Sequence, residues 1–565
     1  MIKKKLNLLK DSFKKFKIDG YVIPKNDEFF SEYAETDRLK MISNFTGTAG
    51  MAIVLNKKNY LFVDGRYTIQ AQKQSGKQFK IIEIHKYLPS KIIKNITLGV
   101  DPSLFTKKQL KIYFDKGFKI KFIKENLIDK IYKKRKAKIN KYFSIPDKIS
   151  GYSHISKIKK LNKIMKKKRC DYLFISAPEN VAWLLNIRGW DNPNSPVPNC
   201  RCLVGKQGKF FLISNNSKVS KLIIEKKLKK NQIVEPQKFE KLISTLKGST
   251  AIVDNQTCSI SNRLIINSKF KILNGTDPCY ILKAIKNSAE IENMKSSHIK
   301  DGVALTKFLF WIKNVNKKKI TEIGAKQKLE KFRKLNKDYL KPSFHTISGT
   351  GPNGALPHYI PSRESDRTIK KNDIFLCDSG GQYKYGTTDV TRTICFNNQK
   401  NYIKNIFTKV LKGHIAVVTS DLKKYNNGKK IDVRARKFLK KDGLDYAHGT
   451  GHGVGFFSNV HEGPQSITKN NTVKIEEGMI VSNEPGYYHK GKFGIRIENL
   501  IFVKKIKKKL LFENLTLAPI DKDLINNNLL TSHEKNYLFE YHLLVYSKLS
   551  KYLKLNERKW LASLI

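Results

Sequence analysis

The chain has 565 residues, too many for one hydrophobic core, and three or four domains are expected. Its 40% apolar content supports packed cores, while 110 Lys and Arg against 48 Asp and Glu leave a formal net charge of +62. No apolar run approaches the ~20 residues of a spanning helix, which argues against a membrane protein.

The first elements alternate helical and strand patterns. Lys5 to Phe16 carries apolar residues at helical spacing, and Gly20-Tyr21-Val22-Ile23-Pro24 and Tyr60-Leu61-Phe62-Val63-Asp64 read as buried strands. Asp64-Gly65-Arg66-Tyr67 forms a turn into a helix over Thr68 to Gln74, and the basic, weakly patterned Lys133 to Ser150 reads as a linker. The same style then recurs. A Lys-rich helix, Ile155 to Lys168, precedes the strand Asp171 to Ile175, so two related α/β domains in tandem are expected, over 1–150 and 151–285.

A third domain, 286–505, opens at Asn287-Ser288-Ala289-Glu290, a capping-box start for a helix running to about Val315. Strand and glycine-rich segments are expected to dominate from Ser343 to Lys504. A C-terminal extension, 506–565, has a central helix around Tyr537 to Leu544.

The chemistry-bearing residues lie in the third domain. Ile374-Phe375-Leu376-Cys377 is an apolar strand running into Asp378, and Gly380-Gly381 and Gly386 punctuate a hairpin. Thr387 to Phe396 reads as the return strand, with Asp389, Thr391 and Thr393 on one face, so Asp378 and Asp389 converge from neighbouring strands. Two bare carboxylates that close repel, and a divalent cation removes the penalty. His452 lies in His448-Gly449-Thr450-Gly451-His452, Glu484 in Asn483-Glu484-Pro485-Gly486, and Glu498 in a strand Gly494 to Val503 with Arg496 on the same face. Singly, these residues read as a core histidine, a turn carboxylate and an ion pair. Together, four carboxylates and an imidazole form the ligand set of a pair of divalent metals. Gly349-Thr350-Gly351-Pro352-Asn353-Gly354 lacks the Lys-Ser/Thr end of a phosphate loop and is expected to shape the approach to His358.

The motifs resemble the Xaa-Pro aminopeptidases (aminopeptidase P), of the pita-bread metallopeptidase fold, in their long three-domain cytosolic form. Phe45-Thr46-Gly47-Thr48-Ala49-Gly50 and Val63-Asp64-Gly65-Arg66-Tyr67 resemble the family's first domain, and Trp183 to Gly189 with Asn194-Ser195-Pro196-Val197 its second. Leu515-Thr516-Leu517-Ala518-Pro519-Ile520 through Trp560-Leu561 resembles the C-terminal extension. The resemblance implies an α/β fold of two creatinase-like domains followed by a pita-bread catalytic domain and that short extension.

It further implies two metal ions, typically Mn2+, with Asp378 on one, Asp389 and Glu498 bridging, and His452 and Glu484 completing the other site. His358, His461 and Glu484 are the implied catalytic groups, and His448, Arg496 and Arg66 the substrate-binding ones. The implied activity is removal of the N-terminal residue from peptides with proline second, by a homodimer built partly through the C-terminal extension. A prolidase-type dipeptidase and a non-catalytic binding module are the alternatives.

Seven cysteines, an odd number with no Cys-x-x-Cys pair, fit free thiols in a reducing compartment. Met1-Ile2-Lys3-Lys4-Lys5 has no signal-peptide pattern, so a cytoplasmic protein is expected. Only 15 of the basic residues are Arg, the side chain favoured for phosphate recognition. The charge therefore reads as a solvated Lys surface, with a polyanion partner as the alternative and no specific nucleic acid expected.

Overall fold

The strand Gly20–Pro24 is buried along its whole length. Such a strand fits only inside a sheet covered on both faces. In the computed structural model, which describes residues 2–33, 36–132 and 139–565, it lies within a six-stranded sheet. The strand order there is Lys80–Glu83, Asn59–Val63, Gly50–Leu55, Gly20–Pro24, Ile96–Val100, Phe118–Phe122. The helix Ile2–Phe16 buries Leu6, Leu9 and Phe13, one face of the helix, against this sheet's core and turns its lysines outward.

A second six-stranded sheet repeats the plan. Its order is Ile233–Val234, Phe210–Ile213, Arg201–Gly205, Tyr172–Ile175, Thr250–Val253, Lys271–Asn274. In both sheets the first strand in sequence pairs antiparallel with the second and parallel with the fifth, and the remaining pairings also agree in direction. The tandem character expected from the sequence is thus visible as shared topology. The linker expected over Lys133 to Ser150 fares differently. Residues 133–138 lie outside the described residues, whereas Phe143–Ser144 pairs with Ile187–Arg188 and Asp147–Ser150 is a helical turn.

Packing divides the chain into two compact units, one of Met1–Asp147 with Tyr152–Tyr280, the other of Lys148–Gly151 with Ile281–Ile565. The second opens with the helix Ser288–Asn314, whose Asn287 and Glu290 form the capping box. Its strands form a three-stranded sheet (Ile347–Thr350, Ile374–Ser379, Val390–Cys395) and a five-stranded one (Glu462–Ile467, Gly451–Gly453, Ile480–Asn483, Asn499–Ile506, Lys509–Asn514). The span Ser343 to Lys504 is less strand-rich than expected. Helices Asn401–Val418 and Gly428–Lys440 occupy its middle and pack on one another through Gly413, where a Cβ would lie 2.4 Å from Ala435 O.

The C-terminal segment is woven into this unit. Lys509–Asn514 is an edge of the five-stranded sheet. Leu517, Ile520, Leu538, Tyr541, Val545 and Leu549 share one apolar cluster with Phe407, Val410 and Leu411 of Asn401–Val418 and with Ile497. All seven cysteines are free and buried, and no helix among the described residues is long and apolar enough to cross a membrane.

Candidate metal centre

Strand Ile374–Ser379 is buried throughout, and its fifth residue is Asp378. It pairs antiparallel with Val390–Cys395, placing Asp378 opposite Thr391. Alternation puts Asp389, two residues before Thr391, on that same face. The hairpin is more elaborate than the sequence suggests. Gly381–Tyr383 and Gly386–Thr387 leave the main ladder and form a separate sheet with Tyr339–Pro342.

The other donors come from the second half of the domain. His452 is the middle residue of Gly451–Gly453, which lies tightly against its neighbour. A Cβ on Gly451 would sit 1.9 Å from Ser482 O, so only glycine fits beside the histidine. Glu484 directly follows Ile480–Asn483, with its N–H donating to Thr450 O at 2.8 Å. Glu498 does not lie in one strand Gly494 to Val503. The strand breaks there, because Phe493–Arg496 pairs with Gly486–His489 while Asn499–Ile506 joins the five-stranded sheet. At the break the Glu498 N–H donates to Thr391 O at 3.2 Å, which sets the carboxylate against the Asp378–Asp389 face.

Asp389, His452 and Glu498 each offer a ligand atom within 4.8 Å of the others. His452 Nε2 lies 3.4 Å from Asp389 Oδ2 and 3.6 Å from Glu484 Oε1. Its Nδ1 faces Gly453 O at 2.9 Å, which leaves Nε2 pointing at the acids. Asp378 Oδ2 accepts from Arg496 Nη2 at 2.6 Å. Thr391 donates its hydroxyl to Glu498 Oε2 at 2.7 Å, and Ser482 donates to Glu484 Oε1 at 3.1 Å.

The electrostatics are those of an incomplete site. Burial, then Asp389 and Glu484, push the Asp378 carboxyl up to about 7 despite Arg496. Burial, then Asp389, Glu484 and Asp378, drive Glu498 well above the carboxylate range. Burial disfavours the His452 imidazolium, yet Asp389 and Glu484 outweigh it and raise the group to about 9. Oδ1 of Asp378 and Oδ1 of Asp389 are buried with no hydrogen-bond partner among the described residues. Unpaired carboxylate oxygens in a dry cluster of four acids and one Arg need positive charge. Oxygen-rich donors with one imidazole suit divalent metals, so the residues fit such ions.

Other expected site residues surround this cluster. His461 is exposed and its ring lies 4.3 Å from that of His452. His448 Nδ1 is 4.0 Å from Glu484 Oε2, its Nε2 meets Tyr488 OH at 2.8 Å, and burial pulls it down to about 4. His358 follows the short helix Gly351–Ala355 in a turn where Pro357 O accepts from both Arg496 terminal nitrogens at 3.4 Å. Arg66 lies in the N-terminal unit, bonded through Nε to Asp64 Oδ1 at 2.7 Å.

Sequence reasoning missed Tyr488, which joins His448 to Arg496 through its hydroxyl. The signal lies in the fold and not in the sequence. In the hairpin Gly486–His489/Phe493–Arg496, Tyr488 pairs with Gly494, whose Cβ would lie 1.8 Å from Gly354 O. A bulky ring opposite a glycine that touches another backbone marks a shaped wall.

The metallopeptidase family M24 model matches residues 292–505, creatinase/prolidase N-terminal domain models match 5–128 and 133–290, and a model of the C-terminal region of peptidase M24 matches 508–564. A probable Xaa-Pro aminopeptidase P of Laccaria bicolor is 37% identical over 99% of this chain and 92% of its own. The chain belongs to the Xaa-Pro aminopeptidase P family. Xaa-Pro aminopeptidase 1 of Dictyostelium discoideum is 36% identical over 96% of this chain and 92% of its own. The crystal structure of the X-prolyl aminopeptidase of Caenorhabditis elegans, described as a cytosolic enzyme with a di-nuclear active site, superposes with a TM-score of 0.91. It is 30% identical and covers 100% of this chain and 99% of that one. A prolidase of Pyrococcus furiosus, 25% identical with a TM-score of 0.50, covers 98% of its own chain but 63% of this one. The fold is therefore the expected one of creatinase-like domains followed by a pita-bread metallopeptidase domain.

Proposed function

We propose that the protein is a metal-dependent Xaa-Pro aminopeptidase, hydrolysing the bond between an N-terminal residue and a following proline. The observation that carries this reading is the buried cluster with two orphaned carboxylate oxygens. It sits on a chain similar to Xaa-Pro aminopeptidases from end to end. Asp378, Asp389, His452, Glu484 and Glu498 would hold two divalent ions, and their oxygen-rich set favours manganese. Such a pair, when bound, supplies Lewis acidity to the carbonyl and an acidified water.

The chain's own groups complete the chemistry. Arg496 holds Asp378 and, with Tyr488, orders the side of the site nearest Pro357. Glu484 takes the proton of the attacking water and delivers it to the prolyl nitrogen as the C–N bond breaks. His461 donates a hydrogen bond to the scissile carbonyl oxygen as it gains charge, and His358 relays protons on the substrate side. His448, held neutral beside Tyr488, borders the pocket for the proline ring.

A homodimer is part of the proposal, supported by Phe539 and Leu543, exposed one turn apart on helix Ser532–Leu549. A cytosolic location is supported by the description of the C. elegans enzyme. The test is an assay of the purified protein with manganese on an Xaa-Pro-Yaa tripeptide and on an Xaa-Pro dipeptide. Release of the first residue from the tripeptide is expected. Cleavage of the dipeptide alone would make the protein a prolidase, and cleavage of neither a binding module.

A further inference from the structure

Arg392 is a buried cation with no ion-pair partner among the described residues. It lies on strand Val390–Cys395 next to Thr391, so its side chain leaves the opposite face of the strand, and it is 1% exposed. Its donors are all used. Nε donates to Pro519 O at 2.9 Å, and Nη1 to Thr391 O at 2.8 Å and Glu498 O at 2.7 Å. Nη2 donates to Asn499 Oδ1 and Ala518 O, both at 2.8 Å, and to Tyr541 OH at 3.1 Å. Carbonyls, an amide and a phenol satisfy the fork but leave its charge unneutralised. Burying such a charge is costly unless something nearby gains from it.

The acceptors fall into two groups. Thr391, Glu498 and Asn499 lie where strand Val390–Cys395 meets the break between Phe493–Arg496 and Asn499–Ile506, and one nitrogen of Arg392 grips the carbonyls of Thr391 and Glu498 there. Ala518, Pro519 and Tyr541 belong to the C-terminal segment. The Tyr541 hydroxyl also lies 2.9 Å from Ala518 O and 3.1 Å from Thr516 O, so the segment holds the guanidinium from behind.

The geometry points to the C-terminal segment as a working part of the metal centre: through Arg392, a positioning residue, Ala518, Pro519 and Tyr541 fix the junction that presents Asp389 and Glu498. This rests on the metal-centre reading above. Arg392 touches neither substrate nor metal. It acts through the backbone carbonyls of Glu498 and of Thr391, two residues from Asp389, and so holds the segments that present two of the ligands.

The test is calorimetric titration of the metal-free full-length protein with manganese chloride, alongside kcat, KM and the unfolding midpoint. Tyr541→Phe removes one hydroxyl from the grip and is expected to weaken manganese binding about tenfold, with kcat falling and KM holding. Arg392→Lys keeps the charge but loses the fork and is expected to weaken it about a hundredfold. Val545→Ala cuts a fully buried side chain of the same segment, lowers the midpoint, and is expected to leave manganese affinity within twofold of wild type. Tyr541→Phe binding like wild type, or Val545→Ala weakening binding as much as Tyr541→Phe, would overturn the inference. Wild-type protein that binds no manganese would instead overturn the metal-centre reading itself.

Discussion

Thr388 and Asp389 are neighbours in sequence, yet they belong to two buried acidic groups of opposite character. Thr388 serves Asp301, on helix Ser288–Asn314, which is 4% exposed. Every lone-pair direction of that carboxylate is engaged. Oδ1 accepts from Arg333 Nε and Tyr383 OH, each at 2.8 Å, and Oδ2 from Thr388 Oγ1 at 3.0 Å and Arg333 Nη2 at 3.3 Å. Burial alone would raise the group, but Arg333 and these donors outweigh it and hold it below the ordinary carboxylate range. One residue further, on the other face, Asp389 has an oxygen with no partner, and its neighbours Asp378 and Glu498 are pushed up. Burial is alike in the two groups and satisfaction is not. A buried acid whose protein partners are complete is architecture, and one left incomplete is kept for something that binds.

Asp389→Asn tests the incomplete side, and its effect is expected to be the largest. Peptidase activity should fall by at least about a thousandfold, because the site loses a donor at its centre. Bound manganese, measured by elemental mass spectrometry, should fall with it. The metal-free protein should unfold no earlier than wild type, since a like charge has left a crowded cluster.

Asp301→Asn tests the complete side and should invert that pattern. Neutralising Asp301 strands Arg333, which is 1% exposed, and breaking such a pair costs about 3–5 kcal/mol. Urea unfolding should show that loss with and without chelator, while the folded fraction keeps its manganese content. Equal destabilisation of the metal-free protein by both substitutions would erase the distinction between the two groups.

This contrast was half legible in the sequence. Two-residue alternation along Thr387 to Phe396 put Asp389 and Thr391 on one face, and it holds because strand side chains must alternate whatever surrounds them. The capping box at Asn287 and Glu290 was legible for a similar reason, since both partners lie within one turn. Glu498 was expected inside one strand, Gly494 to Val503, with Arg496 on its face. The break arises because its two halves pair with different strands, Gly486–His489 and Ile480–Asn483, a choice no local pattern reveals. Alternation puts Arg392 only on the face opposite Asp389, with Val390 and Ile394, and its acceptors at Ala518, Pro519 and Tyr541 exist only once the chain has closed on itself. Helix Asn401–Val418 was hidden differently. Its Ile406, Val410, Ile415, Val417 and Val418 are β-branched, and their strand preference masks the helical spacing of the face they bury.

The smallest expected effect carries the contrast to the histidines. His452 is raised by the acids it faces, whereas His542, in the C-terminal helix, is lowered to about 4 by burial and then by Lys522 and Arg392. His542 Nε2 accepts the Ile520 N–H at 3.1 Å, a bond that only the neutral ring can make at that nitrogen. The folded protein thus binds this proton later than the unfolded chain, whose histidine titrates near 6.5. The stability His542 contributes is complete above pH 6.5 and declines as pH falls from there toward about 4. The loss approaches ~1.4 kcal/mol per pH unit, or roughly 1.3 kcal/mol between pH 7 and 5.5. His414, lowered to about 3, adds a loss of the same sign in wild type. Gln in place of His542 can accept the same N–H without titrating. Urea midpoints of His542→Gln and wild type, measured in chelator at pH 7 and 5.5, should therefore differ in their fall with pH by about that 1.3 kcal/mol, the variant falling less. Parallel falls would mean that His542 is protonated in the folded chain, and that its bond to Ile520 is not what holds it neutral.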